Sequence, residues 1–369
     1  MNYTTATDVG RRKREQDGIN EDSIAISLLD EAHRDTDRES GVFVLADGAG
    51  GAAAGDVASY VATVEVSRRL TDRLWRERGF GEVVDAADAD RSALTGDAVG
   101  DPLATLDDEA VQSCIEGAVR AAHTRLLEVI DEFDLGTAYT TVVVAVTVGD
   151  RLHYGWVGDS RAYVVNVGDD CPDDQRTNCL TKDHSEVERL VTEGTIDAVE
   201  AHVHRHGNRI TRALGGTSDE DPRTSSVAVD TATVPLFGDD VVLLTSDGLI
   251  DAYTGAPQLH QAYEDADDTD SVAERILEKS VTDDEIRDVI LEEPSLAAAA
   301  DRFVTLSNER GGKDNVSLAL FRDPDLPDAR GTLPLRAYDP DPERIANWDT
   351  VKRVDRSDST SGDDPDGQS

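Results

Sequence analysis

The chain has 369 residues, enough to bury a sizeable core, and its 77 acidic and 36 basic residues give a net charge of −41. This surplus of acid excludes nucleic acid as a partner, because no basic face could neutralise phosphates. The sequence has no run of 18 apolar residues and no apolar N-terminal segment. We therefore predict neither a membrane span nor a signal peptide, and expect a cytoplasmic protein.

The acidic residues are spread over segments that still carry strong helix and strand patterns, which argues against disorder. The composition is haloarchaeal-like, since molar salt shortens the Debye length to about 3 Å and screens such self-repulsion. An ordinary acidic protein is the alternative. The three cysteines, Cys114, Cys171 and Cys179, are too few for a disulfide framework. Cys171 and Cys179 flank a predicted hairpin loop, where two unrelated thiols are favoured over a bridge.

The first half of the chain alternates strand and helix signals after an arginine-rich patch. GVFVLADGAGG (41–51) is an apolar run that stops on Asp-Gly, which predicts a buried strand ending at Asp47. Apolar residues at three- and four-residue spacing predict long helices over 52–75 and 107–133. Between the two helices, 79–106 is predicted to be an exposed acidic insertion.

The second half begins with strands and ends in helices. Residues 137–168 predict three strands joined by two Gly-Asp turns. Residues 181–210 form a polar, histidine-bearing excursion, and VVLLTSDGLID (241–251) repeats the strand that stops on Asp-Gly. Residues 270–310 are predicted to be helical, and 315–321 to be the last strand.

This order predicts an α+β fold in which helices cover β-sheets, since a doubly wound sheet would need regular strand–helix alternation. We place the domain at 1–321. The remainder, 322–369, is rich in Pro, Asp and Ser and is predicted to be an acidic, largely disordered tail, with a short docked piece around Leu333–Trp348.

Acidic residues stand at the strand edges that these patterns define. An Asp-Gly pair after a strand is most often only a turn. Several ionised carboxylates brought together would repel one another unless a divalent cation joined them, and oxygen ligands favour Mg²⁺ or Mn²⁺. The glycine after Asp47 would also let the Gly48 carbonyl approach such a cation. The candidate acids are Glu21, Asp22, Asp47, Asp159, Asp247 and Asp314.

With these acids in these positions, the chain resembles the PPM-type (type 2C) metal-dependent serine/threonine protein phosphatases. Eight motifs of that family occur in its order between residues 8 and 321: NED (20–22), DGAGG (47–51), GT…TTVVVAV (136–146), VGDSRAY (157–163), KDHS (182–185), NRITRALGG (208–216), GDDVVLLTSDGL (238–249) and GGKDNVS (311–317). The resemblance implies two packed, mostly antiparallel sheets flanked by pairs of long helices, an α-β-β-α sandwich. It also identifies 185–208 as the flap beside the catalytic cleft.

The resemblance further implies a role for each acid. Asp47 would bridge two Mn²⁺ or Mg²⁺ ions, with Glu21 and the Gly48 carbonyl on one and Asp247 and Asp314 on the other. Asp22 would hold metal-bound water, and Asp159 would serve a weaker third ion. A water activated by the two metals would then hydrolyse phosphoserine and phosphothreonine in proteins that Ser/Thr kinases have modified. The family resemblance suggests a monomer.

Two positions depart from the family pattern. An arginine usually stands five residues before the Asp of NED to hold the substrate phosphate, and here that position is Asp17. The chain offers Arg11–Arg14 (RRKR) instead, from which we select Arg14 first and Arg12 second, with Lys13 as a substitute; an exposed basic loop is the alternative. A histidine that follows the Asp-Gly in some members is replaced by Ala49, so a metal-bound water would have to protonate the departing oxygen.

Two other functions stay open: a catalytically silent scaffold of the same fold, and a hydrolase of small phosphate esters. Three alternating histidines, His202, His204 and His206, would share one face of a strand and could bind a transition metal there. A place within the flap is the favoured interpretation of these histidines.

Overall fold

The computed structural model describes residues 1–33, 36–50, 54–75, 107–250, 255–266 and 269–331, together with 333, 334, 336, 338 and 354–355. The predicted insertion at 79–106 lies outside the described residues. The strands are β1 (Asn2–Asp8), β2 (Asp22–His33), β3 (Thr36–Gly50), β4 (Thr137–Thr140), β5 (Val142–Val148), β6 (Arg151–Val157), β7 (Arg161–Asn166), β8 (Thr177–Cys179), β9 (Arg209–Ile210), β10 (Leu214–Thr217), β11 (Asp230–Pro235), β12 (Asp240–Thr245), β13 (Val316–Arg322) and β14 (Val354–Asp355). The helices are α1 (Arg11–Glu15), α2 (Ala54–Trp75), α3 (Asp108–Phe133), α4 (Asp173–Arg176), α5 (Glu186–Thr192), α6 (Ala198–Ala201), α7 (Ala256–Glu264), α8 (Asp270–Leu277), α9 (Asp283–Glu292) and α10 (Leu296–Glu309).

Two antiparallel sheets form the centre of the fold. Sheet I has the strand order β1-β13-β12-β7-β8. Sheet II has the order β10-β4-β3-β5-β6-β11, and its seventh strand, β2, also pairs with β3. Helices α2 and α3 cover sheet II, and α9 and α10 cover sheet I. The predicted α-β-β-α sandwich is therefore confirmed.

Strand β3 is buried on both faces, which explains its continuous apolar sequence. Val42 and Val44 pack under helices α2 and α3, whereas Phe43 and Leu45 point between the two sheets. There the Phe43 ring stacks on Phe321 of sheet I, with the ring centroids 3.9 Å apart. A strand buried on both faces alternates between two apolar environments, so its sequence reads as one continuous apolar run.

The expectation that this strand ends at Asp47 was wrong. Strand β3 continues to Gly50 because it changes partner: Val42–Leu45 pair with β5, and Gly48–Gly50 pair with β4. Asp47 lies where the partner changes, so a carboxylate is placed inside a strand rather than after it.

The segment 137–168 contains four strands rather than three. The first Gly-Asp pair, at Gly149, closes the predicted β5–β6 hairpin with a positive φ of 57°. The second, at Gly158, does not close a hairpin, because β6 belongs to sheet II and β7 to sheet I. The chain crosses between the sheets at this point, and Asp159 lies at the crossing.

Several sequence predictions agree with the structure, and several strands were missed. The long helices, the helices between 270 and 310 and the final strand of sheet I are present. The three cysteines are free, in agreement with the prediction that Cys171 and Cys179 are two unrelated thiols. The strands that had not been predicted include β1, which pairs with β13, β11, which pairs with β6, and the short β14, which pairs with β9.

The described residues of the C-terminal segment pack against the domain. Arg336 is buried and its guanidinium donates to Asp240 Oδ2 at 2.5 Å, while Tyr338 meets Trp156 edge-on with ring centroids 4.8 Å apart. The boundary between domain and tail stays a prediction. None of the helices among the described residues combines the length and apolar content needed to cross a bilayer.

Candidate active site

The first group of predicted site residues lies on strands β2 and β3. Asp22 is directly opposite Asp47 in the antiparallel register. The Gly48 amide donates to the Glu21 carbonyl oxygen at 3.1 Å, so Glu21 is held beside the same pair. A side chain at Gly48 would be impossible, because its Cβ would lie 2.0 Å from the carbonyl oxygen of Gly55 at the start of α2. Glycine is required here for the close approach of two backbones.

The Asp47 backbone is fixed by two threonines at the junction of β4 and β5. The Asp47 amide donates a hydrogen bond to Thr141 Oγ1 at 3.0 Å. Its carbonyl oxygen accepts from the Thr141 amide at 2.9 Å and from Thr140 Oγ1 at 3.0 Å. The side chain is thereby presented from a rigid backbone.

The second group lies at one edge of sheet I. In the register, Thr245 of β12 is paired with Leu318 of β13 on one side and Arg161 of β7 on the other. Asp247 follows Thr245 by two residues, in a 3₁₀ turn, and Asp314 and Asp159 precede β13 and β7 by two residues each. Antiparallel pairing therefore brings all three carboxylates to the same edge.

Hydrogen bonds join the two groups across the sandwich. Ser246 Oγ donates to Asp22 Oδ2 at 3.0 Å, and the Glu21 amide donates to Asn315 Oδ1 at 2.8 Å. Asn315 in turn donates from its amide group to the carbonyl oxygens of Val9 and Ile19. The NED segment of sheet II is therefore anchored to the Asp-Asn pair that precedes β13.

Asp22 is the most strongly perturbed acid of the site. Burial raises its pKa to about 7, and the charges of Asp314 and Asp247 act in the same direction against hydrogen bonds from Ser317 and Ser246. Its buried Oδ1 has no hydrogen-bond partner in the described part of the chain. A buried carboxylate oxygen without a donor indicates a position for a cation or a water.

A cation of the protein itself stands between the two groups. Lys13 Nζ donates to Glu21 Oε2 and to Asp314 Oδ1 at 2.9 Å each, and to Asn315 Oδ1 at 2.8 Å. Burial opposes its charge, yet the carboxylates of Asp314 and Glu21 prevail and raise the pKa of Lys13 above its ordinary value. The ammonium occupies the place between acids of sheet II and acids of sheet I.

The donor set fits divalent metal ions. All the side chains offered are carboxylates, hard oxygen ligands of the kind that Mg²⁺ and Mn²⁺ prefer, and the ammonium shows that a cation is favoured among them. Among the described residues, no three of these carboxylates bring oxygens within 4.8 Å of one another. Lys13 Nζ donates to both Glu21 and Asp314, so these two acids leave room for a cation between them.

The predicted phosphate-binding arginines are arranged differently from Lys13. Arg14 forms an ion pair with Asp8, N to O 2.6 Å, and its side chain is 57% exposed. The Arg12 amide donates to the Gly312 carbonyl oxygen at 2.9 Å, which ties helix α1 to the loop before β13. The side chain that α1 directs into the acidic centre is Lys13, which the sequence had ranked below both arginines.

A cleft of about 1150 Å³ opens beside the acids. Asp159 and Asp247 line it, as do Ala201 and His202 of the predicted flap, 185–208. The segment 185–208 contains the short helices α5 and α6, and residues 202–206 are not in a strand. The alternative in which His202, His204 and His206 share one face of a strand is therefore wrong.

Sequence reasoning missed three hydrogen-bonding residues of the site: Ser246, Asn315 and Ser317. Each is adjacent to, or within three residues of, a predicted acid in the motifs TSDG and KDNVS, which was the available signal. Ser317 donates its amide to Ser246 Oγ at 3.0 Å and so positions the hydroxyl that holds Asp22.

The sequence profile of the protein phosphatase 2C family matches residues 9–289. The chain belongs to the protein phosphatase 2C family. The serine/threonine phosphatase stp of Listeria welshimeri is 28% identical over 280 residues, 76% of this chain and 83% of that protein. The serine/threonine protein phosphatase PstP of Mycobacterium tuberculosis is 30% identical over 280 residues, which is 76% of this chain and 40% of PstP.

Solved structures agree with the sandwich described above. The structure of the Mycobacterium tuberculosis serine/threonine phosphatase PstP/Ppp is 26% identical, covers 87% of this chain and 98% of its own, and superposes with a TM-score of 0.56. Staphylococcus aureus Stp1, at 23% identity, covers 87% and 94% with a TM-score of 0.59 and supports the fold.

Proposed function

We propose that this chain hydrolyses phosphoserine and phosphothreonine in proteins, with two Mn²⁺ or Mg²⁺ ions held by the acidic centre. The observation that carries the proposal is the meeting of acids from two sheets, joined by the Ser246–Asp22 and Asn315–Glu21 hydrogen bonds, beside a cleft that Asp159 and Asp247 line. Membership of the protein phosphatase 2C family supports the same reaction.

The proposed ligands follow from the two groups. Asp47 would lie between the ions, Glu21 and the Gly48 carbonyl would serve one, and Asp247 and Asp314 the other. Asp159, on the same cleft wall as Asp247, would serve a third, weaker ion. When bound, such a pair of ions supplies an activated water and neutralises the charge of the phosphoryl oxygens.

The chain's own residues complete the site. Asp22, with one oxygen held by Ser246 and the other without a donor, would orient water against the phosphorus. We propose Lys13, rather than Arg14, as the cation that holds the substrate phosphate, because its ammonium is directed into the centre while Arg14 pairs with Asp8. Ala49 offers no proton, so water would have to protonate the departing serine or threonine oxygen.

Activity assays with a matched acid variant test the proposal. The protein in Mn²⁺ should dephosphorylate a phosphothreonine peptide and should stop when EDTA removes the metal. Asp247→Asn should lower kcat by about 10²–10³-fold or more, because it removes charge from the centre that stabilises the transition state. Asp134→Asn is the control: this exposed residue ends α3 in the left-handed conformation that asparagine tolerates. An Asp247→Asn enzyme with full activity would contradict the proposal.

Two alternative functions predict different results. A catalytically silent scaffold would show no Mn²⁺ binding in calorimetric titration, and the presence of every predicted acid disfavours it. A small-ester hydrolase would prefer p-nitrophenyl phosphate to the phosphopeptide in kcat/KM. The monomeric state and the cytoplasmic location stay predictions, and light scattering of the purified chain tests the first.

A further inference from the structure

The flap is held against helices α7 and α8 by contacts separate from the main cores. Val203 packs with Leu259, Val272 and Ile276 in a small buried cluster. Tyr263 Oη donates to Asp197 Oδ2 at 2.7 Å, which fixes the start of α6 against α7. These contacts set the position of the flap relative to α7.

Three potential metal ligands meet at this contact. Ligand atoms of Glu200, His204 and His260 all lie within 4.8 Å of one another. Glu200 precedes His204 by four residues, and the Val203 amide donates to the Glu200 carbonyl oxygen at 3.0 Å, which continues the turn beyond α6. The mutual distances therefore place the Glu200 and His204 side chains beside His260 of α7.

The surroundings of His260 are those of a metal ligand. The residue is only 7% exposed, and its Nε2 lies 3.4 Å from Glu200 Oε1 without a hydrogen bond to any described residue. Its Nδ1 lies 3.7 Å from Glu264 Oε2, one helical turn later. This is an ion-pair distance rather than a hydrogen bond, and it places a carboxylate on the side of the second ring nitrogen, where such groups orient histidines that bind metal.

We propose that Glu200, His204 and His260 bind a zinc-class divalent ion that ties the flap to helix α7. Two imidazoles and one carboxylate are the protein ligands of open tetrahedral zinc sites, in which water takes the fourth position. The acidic centre offers oxygen ligands alone and suits harder cations, so the two sites differ in the metal that each selects.

The ion would act on the wall of the cleft. Ala201 and His202, which line the cleft, lie between Glu200 and His204 in the chain. Fixing the two ligands on either side therefore fixes this part of the wall.

Zinc binding in the presence of saturating Mg²⁺ tests the site, because Mg²⁺ occupies the oxygen ligands and leaves the nitrogen ligands available. Equilibrium dialysis of the full chain should find one Zn²⁺ bound. His204→Gln and His260→Gln should each weaken this binding by more than ~100-fold, beyond the loss typical of outer supporting residues. His206→Gln is the matched control: this histidine contacts Glu186 at 3.0 Å and meets the His204 ring edge-on but is outside the three-residue set, and the substitution keeps the backbone amide that donates to His204 Nδ1. Asp247→Asn should leave zinc binding unchanged.

Thermal unfolding separates lost ligands from lost structure. Zn²⁺ should raise the Tm of the wild-type chain and of His206→Gln, but not that of the ligand variants. If His260→Gln is unfolded without metal, Glu200→Gln, at a partly exposed position, provides the same test. Unchanged zinc affinity in the ligand variants, an equal loss in His206→Gln, or a loss in Asp247→Asn would each overturn the proposal.

Discussion

Replacement of Lys13 by methionine should separate metal binding from substrate binding. The ammonium donates to Glu21 and Asp314, acids that we propose as ligands of different metal ions, so it competes with those ions. Methionine keeps most of the side-chain volume and removes the charge. We therefore expect Lys13→Met to bind Mn²⁺ more tightly than the wild type and yet to process a phosphopeptide less efficiently.

The contacts of Lys13 set the size of the effect. A hydrogen bond to a charged group contributes about 1.5–3 kcal/mol, which applies to the bond with Glu21, whose side chain is 11% exposed. The Asp314 side chain is 38% exposed, so that pair is worth ~0–1 kcal/mol. Relief of the desolvation of Lys13 offsets part of the sum, which leaves a loss of about 2 kcal/mol in the metal-free protein.

This loss appears in two measurements. The Tm of the metal-free protein should fall by about 4–8 °C, at roughly 2–4 °C per kcal/mol for a large domain. Mn²⁺ no longer has to displace the ammonium, so its affinity should rise by about 30-fold, at ~1.4 kcal/mol per decade. The folded-state pKa of Lys13 is raised above its unfolded value of about 10.4, so the contribution of the ammonium to stability is fully present at neutral pH. This contribution is lost only in strong alkali, where the folded protein loses the proton.

Calorimetric titration with Mn²⁺ and steady-state kinetics on a phosphothreonine peptide measure the two effects. The value of kcat/KM should fall by about 10–100-fold through loss of the phosphate contact. Arg14→Met is the control, because its exposed pair with Asp8 is worth under ~1 kcal/mol and should affect neither measurement strongly. Mn²⁺ affinity that is unchanged or weaker in Lys13→Met would refute the reasoning. A larger loss of kcat/KM in Arg14→Met than in Lys13→Met would show that Arg14 binds the substrate phosphate.

Three further predictions concern stability. Gly248→Ala should destabilise the fold by ~3 kcal/mol or more in urea titration, because its Cβ would lie 1.7 Å from the Asn315 carbonyl oxygen. Gly117→Ala in α3 is the control and should be neutral or stabilising, because its Cβ would meet only Arg73 Nη1, at an ordinary contact distance of 3.7 Å. Burial lowers the pKa of His153 to about 4, so its neutral ring contributes stability above pH 6.5 that is lost as the pH falls towards 4. Over this range the unfolding free energy of His153→Gln should therefore fall less than that of the wild type, by up to about 3 kcal/mol. An equal pH dependence in the two proteins would contradict the assignment. With a net charge of −41, the chain should gain Tm steadily from 0.1 M to molar KCl as the Debye length shortens from about 10 to 3 Å, and a Tm independent of salt would exclude the halophilic interpretation.

Local patterns in the sequence were sufficient for the elements that are defined by near neighbours. Helices α2 and α3 follow from apolar residues that recur every three or four positions, and the β5–β6 hairpin follows from alternation around Gly149. Each of these signals lies within a few residues of the structure that it predicts, so no tertiary information is needed.

The elements that failed are those defined by partners distant in sequence. Strand β3 continues past Asp47 only because β4, some ninety residues later, offers a second partner. Strand β1 is a short threonine-rich segment that becomes a strand by pairing with β13 at the far end of the domain. No local pattern carries information about such partners, and β propensity depends on this context.

The candidate site shows the same limit in its chemistry. The motifs identify which acids lie near strand ends, and the register then brings Asp159, Asp247 and Asp314 to one edge. The choice among four neighbouring basic residues depends instead on how α1 is oriented, and the Gly312 carbonyl sets that orientation by accepting from the Arg12 amide. One helical position separates Arg14, which reaches Asp8, from Lys13, which reaches Asp314, so a choice by residue type favoured the arginine where orientation favours the lysine.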